Sequence, residues 1–321
     1  MPGNSWERVP IDAQSIDAPL SQAAIFLVLD VAAGKAPLAT VRSMLGGLDD
    51  LVKTVGFRDL SARLSCIVGI GSNLWDRLRP GHRPKDLKPF VPIAGQPHIA
   101  PATPGDLLFH IRAERADLCF EFERILLANL GTAVTLVDEV SGFRYFDARD
   151  LLGFVDGTAN PAGPDLQEAA LVGEEDPDFA GGSYVVVQKY LHDLEAWGRV
   201  STPIQEQIVG RTKIDNIELD DDSAPRKSHK TLATITDADG TEHDILRDNM
   251  PFGRPGHGEF GTYFIGYSRH LWVVERMLQR MYIGDPPGAY DRLLDFSTPQ
   301  TGTTFFAPSR AMLQAMAEGG S

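Results

Sequence analysis

Cysteine is nearly absent from this chain: 321 residues hold two, Cys66 and Cys119. Both lie in apolar stretches, LSCIVGI and ADLCFEF, and no CxxC or Cys/His pair accompanies them. That argues against zinc and iron–sulfur sites and for two reduced thiols that pack as small hydrophobes. Long apolar runs are missing too, since none reaches the roughly 18 residues of a membrane helix. Positive charge is in deficit, with 30 Lys and Arg against 44 Asp and Glu, for a net charge of −14. Nucleic acid and anionic membrane are therefore disfavoured as partners. The polar stretch from Met1 to Asp17 lacks the basic start and apolar core of a signal peptide. The expectation is a cytoplasmic protein.

What is present is enough chain for one large or two ordinary domains, with room for a sizeable core and a deep pocket. The first half alternates strand and helix patterns. Ala24 to Asp30 (AIFLVLD) is an apolar run of strand length. Leu38 to Val55 places Val41, Leu45, Leu48, Leu51 and Val52 near helical spacing. Leu64 to Gly71 and Asp106 to Ala113 read as further strands. Asp76 to Gly105 reads as a long irregular excursion. The next helix sets Leu118, Phe122, Ile125 and Leu126 on one face, and Thr132 to Arg144 closes the half as a strand. Gly69-Ile70-Gly71-Ser72-Asn73 suggests a nucleotide loop only superficially. It lacks the third glycine of the dinucleotide fingerprint, and no amphipathic helix is expected after it.

The second half repeats the order. Ser183 to Tyr190 is a strand, Leu194 to Gly210 a helix, and Asp215 to Lys230 a polar, acidic stretch. Its run Asp220-Asp221-Asp222 reads as a solvated loop. Strands are expected at Leu232 to Thr236, Asp244 to Arg247, Gly261 to Tyr267 and Thr303 to Ala307. Leu271, Val274, Leu278 and Met281 mark one helix face. Two βαββαβ halves fit the split-βαβ, ferredoxin-like pattern, although periodicity supports α+β without fixing that topology.

Between the halves stands Gly153-Phe154-Val155-Asp156-Gly157-Thr158-Ala159-Asn160-Pro161. Glycines bracket a single acid, so backbone there passes close to neighbours or takes positive φ. Asn-Pro biases the chain toward a turn. On composition alone this is an ordinary turn. Further along stand Lys227-Ser228-His229, the run Ile245 to Gly253 (ILRDNMPFG), Gly261 to Tyr267 (GTYFIGY) and Tyr290 to Thr298 (YDRLLDFST). In this order, from about Ile25 to Pro308, these segments resemble the dye-decolourising peroxidases, a haem peroxidase family. The KSH, LRDN and DFST segments look most like the B-type, bacterial subgroup.

The resemblance implies an α+β fold of two ferredoxin-like domains with antiparallel sheets packed face to face. They would divide at residues 1–150 and 151–321, with one haem b held mainly by the second. It implies His229 as proximal ligand of the haem iron, where a neutral imidazole nitrogen is needed. A carboxylate should orient the other ring nitrogen, and it should come from the Asp291 to Asp295 helix. Spacing alone leaves the two acids equivalent on one helix face, and the reading leans to Asp291. Asp156, Arg247 and Asn249 would form the distal, catalytic side. Arg247 and Asn249 are expected on one strand with both side chains on one face. Gly157 and Phe264 complete the cofactor-binding set. His110 and His270 read as structural, and His82, His98, His192, His243 and His257 as exposed.

The activity implied is reduction of hydrogen peroxide, with Asp156 moving a proton between the peroxide oxygens and Arg247 stabilising charge as the bond breaks. A ferryl intermediate then oxidises dyes, phenols or manganese(II). Bulky dyes cannot enter a tight pocket, so Trp6, Trp75, Trp197, Trp272 and the seven tyrosines are candidate electron relays, each also explained by packing. A homo-oligomer is implied. No encapsulation tag is expected after Ala315. The alternative on the same fold is a haem-binding protein that releases haem iron or carries haem. The cluster of Asp156, Arg247 and Asn249 argues against it, because a carrier would not need those groups.

Overall fold

The structure is a computed structural model that describes residues 14–220 and 226–318. Trp6 and the tail residues 319–321 lie outside them, as do two acids of the 220–222 run. The strand Ala23–Val31 is almost wholly buried and pairs antiparallel with Leu107–Ala113 on one side and Val134–Phe143 on the other. Ser65–Ile70 extends the sheet by pairing with Leu107–Ala113. Helix Lys35–Gly56 lays Val41, Leu45, Leu48, Leu51 and Val55 on this sheet and its neighbours, and Ala116–Leu130 does so with Leu118, Phe122 and Leu126. Their three- and four-residue spacing is what makes each helix one-sided.

The second sheet repeats this order. Ser183–His192 runs between Glu259–Ser268 and Thr303–Ala307, and Leu246–Arg247 pairs beyond Glu259–Ser268. Helix Leu271–Ile283 buries Leu271, Val274, Met277 and Leu278. In each half the first and third main strands are central, and all pairings are antiparallel. The fold class is thus α+β with two ferredoxin-like units, as the resemblance implied. No helix among the described residues is long and apolar enough to cross a membrane.

The two sheets face each other. Phe26 of the first stacks on Tyr263 of the second with ring centroids 4.2 Å apart. Val28, Ile67 and Leu108 meet Val185, Val187, Ile265 and Phe305 in one buried cluster. The sheets also join at an edge, through a single bridge between Phe306 and Ile70.

Several local expectations are corrected. The segment 194–210 is two helices, Leu194–Gly198 and Thr202–Val209. Pro203 is tolerated in the first turn of a helix but not in its interior, so the chain breaks before it. A seven-residue helix, Ser72–Leu78, does follow the Gly69 to Gly71 loop and buries Leu74, Trp75 and Leu78. His229 does not lead directly into a strand: it opens a short helix, His229–Ala233, and only Ile235–Thr236 is extended. Asp244 to Arg247 shrinks to Leu246–Arg247. Met250–Arg254 is a strand that was not expected, at the sheet's edge where Pro251 is acceptable.

Candidate active site

A deep cleft is lined by residues running from Asp150 to Ser297. Its space is about 1580 Å³, a figure that takes in the open mouth. Ile245, Phe264, Val274, Met277, Leu278 and Met281 give it apolar walls. Gly266 makes room for one of them, since a Cβ there would stand 2.9 Å from the Phe264 ring.

His229 lines this cleft. Ser228 caps the helix that His229 opens, its Oγ accepting the Thr231 N–H. Gly210, at φ +92°, leaves space for that Oγ, because a Cβ there would collide with it. The His229 ring directs Nδ1 at Asp291 Oδ2, 2.6 Å away. Nε2 has no hydrogen-bond partner among the described residues. Asp291 is fully buried and caps the turn Arg292–Asp295, with Oδ1 accepting the Leu293 N–H at 2.9 Å. Both oxygens are therefore fixed. Burial pulls the His229 pKa down, but the charge of Asp291 and its hydrogen bond outweigh that, so the ring is more basic than an ordinary histidine. The segment 291–295 is a single 3₁₀ turn rather than a helix with two equivalent acids. Asp295 turns away and accepts from Tyr290 Oη at 3.1 Å, with His98 Nε2 at 2.9 Å.

Asp156, Arg247 and Asn249 line the same cleft. The Asp156 Oδ1 accepts the N–H of Gly157 at 2.7 Å, and its Oδ2 accepts from Asn249 Nδ2 at 3.2 Å. Gly157 sits at φ +78°, which suits glycine in this turn. Asn249 is not on a strand as expected. It falls in the break between Leu246–Arg247 and Met250–Arg254, where its Oδ1 accepts the Ile265 N–H at 3.2 Å in place of a backbone carbonyl. The Arg247 Nε is buried with no hydrogen-bond partner among the described residues. Its backbone is pinned twice by Asn160, which donates to the Arg247 carbonyl at 2.6 Å and accepts the Arg247 N–H at 3.0 Å.

Asn160 is thus a positioning residue that sequence reasoning treated only as a turn former. His192 was also misplaced. It lines the cleft rather than standing exposed, with Nδ1 2.8 Å from Ser297 Oγ and Nε2 2.9 Å from Thr262 Oγ1. Burial lowers its pKa to about 4, so it is neutral. His98, His82 and His243 are part-buried, and of the eight histidines only His257 is exposed. Tyr190 lines the cleft and hydrogen-bonds Gln188 Oε1 at 2.8 Å, with Tyr282 Oη at 3.0 Å. Trp75 and Trp197 are buried in packing.

Asp150 is a second carboxyl in the cleft that the sequence did not single out. Burial raises its pKa to about 7, against the bond from the Phe154 N–H, and the charge of Asp156 adds to the rise. A folded pKa above the unfolded value means the folded state holds the extra proton between the two. Stability is then lost as pH rises through that window. Asp150→Asn keeps the acceptor for Phe154 and removes the titration. Its melting temperature relative to the parent should therefore climb between about pH 4 and pH 7 and level off above. Calorimetry across that range checks this, and a pH-independent difference would contradict it.

Two family models match the chain in succession. The Dyp-type peroxidase N-terminal model covers residues 13–144 and the Dyp-type peroxidase C-terminal model residues 147–312. A dye-decolorizing peroxidase from Mycobacterium tuberculosis is 56% identical over 299 residues, 93% of this chain and 89% of that protein. The structure of DyPB from Rhodococcus jostii RHA1 aligns with a TM-score of 0.92 at 57% identity, covering 95% of this chain and 98% of that one. A variant of that protein in complex with heme aligns at 0.91 and 58% identity, covering 92% and 96%. An encapsulated DyP-type peroxidase from Mycobacterium smegmatis aligns at 0.92 and 55% identity, covering 95% and 98%. A deferrochelatase from Escherichia coli is far more distant, 26% identical over 76% of this chain and 65% of that protein. The ordered motifs, the repeated fold and matches at these identities over nearly the whole length lead to one conclusion: the chain belongs to the Dyp-type peroxidase family, in its B-type subgroup.

Proposed function

We propose that His229 holds the iron of haem b, one per chain, in the cleft and that Asp156, Arg247 and Asn249 handle hydrogen peroxide beside it. The observation that carries this reading is one cleft that joins a free, Asp-backed imidazole nitrogen to a carboxylate–amide–guanidinium cluster. The residues fit the cofactor. The walls are apolar and wide, Nε2 of His229 is free to ligate, and the buried Arg247 Nε awaits a partner. Haem bound there would supply the redox chemistry, the transfer of electrons from organic donors to peroxide.

The chain's own groups do the rest. Asp291 holds the Nδ1 proton of His229 and so keeps Nε2 as the ligating atom. Asp156, already an acceptor toward Asn249, would take a proton from one peroxide oxygen and return it to the other, directly or through water. Asn249 holds Asp156 Oδ2 in place. Arg247 is charged at every working pH and stabilises the negative charge that develops as the O–O bond breaks. The donors are dyes, phenols and similar one-electron reductants, with manganese(II) an inorganic counterpart. A cytoplasmic location is part of the same proposal. The division near residue 150 is supported by the sheets, whose strands end at Phe143 in one half and begin at Ser183 in the other.

His229→Ala should lose stable haem, read as a missing or displaced Soret band at normal folding. An unchanged spectrum at full haem occupancy would remove His229 from the ligand role. Loss of a preorganised charge costs roughly 10²–10³-fold, and loss of acid–base help roughly 10²–10⁴-fold. These ranges overlap, but Arg247 acts whatever the protonation of its neighbours, and water or Asn249 can carry a proton. Arg247→Leu should therefore slow the reaction with peroxide at neutral pH more than Asp156→Ala, with haem bound in both. Stopped-flow mixing decides the order, and a slower Asp156→Ala would make the aspartate the principal catalyst. The protein should assemble as a closed homo-oligomer, and sedimentation showing only monomer at micromolar concentration would contradict this.

A further inference from the structure

Asp248 stands between Arg247 and Asn249, and its side chain goes the other way. The carboxylate is 2% exposed and meets the first half of the chain rather than the cleft. Its Oδ2 accepts from Arg112 Nη1 at 3.0 Å, and Arg144 Nη2 lies 3.6 Å from Oδ1. His110 Nε2 is 3.8 Å from Oδ2, but burial first and the Arg112 charge second lower the His110 pKa to about 3, so that ring is neutral. Two cations therefore converge on one anion.

The cations are themselves anchored. Arg112 Nη2 donates to the Ser15 carbonyl at 2.6 Å and Arg144 Nε to the Ser21 carbonyl at 3.3 Å. On the second sheet, the Asp248 N–H donates to the Ile265 carbonyl at 3.2 Å. The next amide contact of that strand is the Ile265 N–H donated to Asn249 Oδ1. The break in the strand is thus held from one side by Asn249 and from the other by Asp248. Any shift of Asp248 carries both neighbours with it.

We propose that Asp248 is a positioning residue for the peroxide reaction, its buried ion pair with Arg112 and Arg144 setting where Arg247 and Asn249 stand in the cleft. The first sheet, none of whose residues line the cleft, thereby controls its catalytic geometry. The inference rests on the roles given above to Arg247 and Asn249. Catalytic groups work within about 0.5 Å of their productive place, and a displacement of about 1 Å can cost roughly a hundredfold.

The test uses Asp248→Asn, which keeps the volume and loses the charge, and Arg112→Lys, which keeps the charge and loses the planar fork. Each is read in the haem-loaded protein for haem content, melting temperature, amide exchange at 247–249, and the peroxide rate per bound haem. The expected result is full haem content, faster exchange at Asp248 with the central strands unchanged, and a rate lower by about tenfold or more. In a background that lacks both groups, Arg247→Leu with Asn249→Ala, Asp248→Asn should add little, because it acts through groups already removed. A lower melting temperature with an unchanged rate per haem, or effects that multiply in that triple variant, would overturn the proposal and leave Asp248 a stabilising ion pair. If Arg247→Leu alone leaves the rate unchanged, the reading of the cleft fails instead.

Discussion

The 2.6 Å hydrogen bond between His229 Nδ1 and the fully buried Asp291 is the constraint on which the site depends. A buried carboxylate is costly unless it is bonded and paired. Asp291 meets that demand by capping a turn with one oxygen and holding the histidine with the other. The histidine then has one ring nitrogen committed and one free, which sets its tautomer and its basicity together. Among the described residues nothing else in the cleft offers an imidazole in that state, since both nitrogens of His192 are engaged by hydroxyls.

The rest of the architecture delivers the remaining groups to that nitrogen. The connecting segment at 150–160 brings in Asp156 and Asn160. The broken edge of the second sheet brings in Arg247 and Asn249, and Asn160 ties the two segments together through the Arg247 backbone. The first sheet contributes no side chain to the cleft, yet it covers the second sheet through Phe26 and Tyr263 and holds Asp248 through two arginines. Its contribution to chemistry is therefore mechanical and electrostatic rather than by contact.

Much of this was legible in the chain. Apolar runs such as AIFLVLD and SYVVVQKY gave the central strands, because buried strands need continuous β-branched and aliphatic residues. The one-sided helices at Leu118 and Leu271 followed from spacing. What failed were places where a side chain replaces a backbone partner. Asn249 accepts a strand N–H, so a run that reads as continuous strand is broken there. Ser228 caps a helix that propensity alone does not announce. His192 looked exposed because it stands at a strand end beside Asp193, but its ring lines the cleft between Ser297 and Thr262. Spacing could not choose between Asp291 and Asp295. The choice turns on which acid caps the turn, and a three-dimensional bond settles that geometry. Asp150 and Asn160 carried no local signal beyond that of loop residues.

The central claim is that Nε2 of an Asp291-backed His229 binds the haem iron. Resonance Raman spectroscopy of the reduced, haem-loaded protein measures the iron–imidazole stretch directly. The account predicts a band that shifts on ¹⁵N-histidine labelling, falls in frequency in Asp291→Asn as the ring loses its negative partner, and stays put in Asp295→Asn. A band insensitive to histidine labelling, or one moved by Asp295→Asn and not by Asp291→Asn, would contradict it.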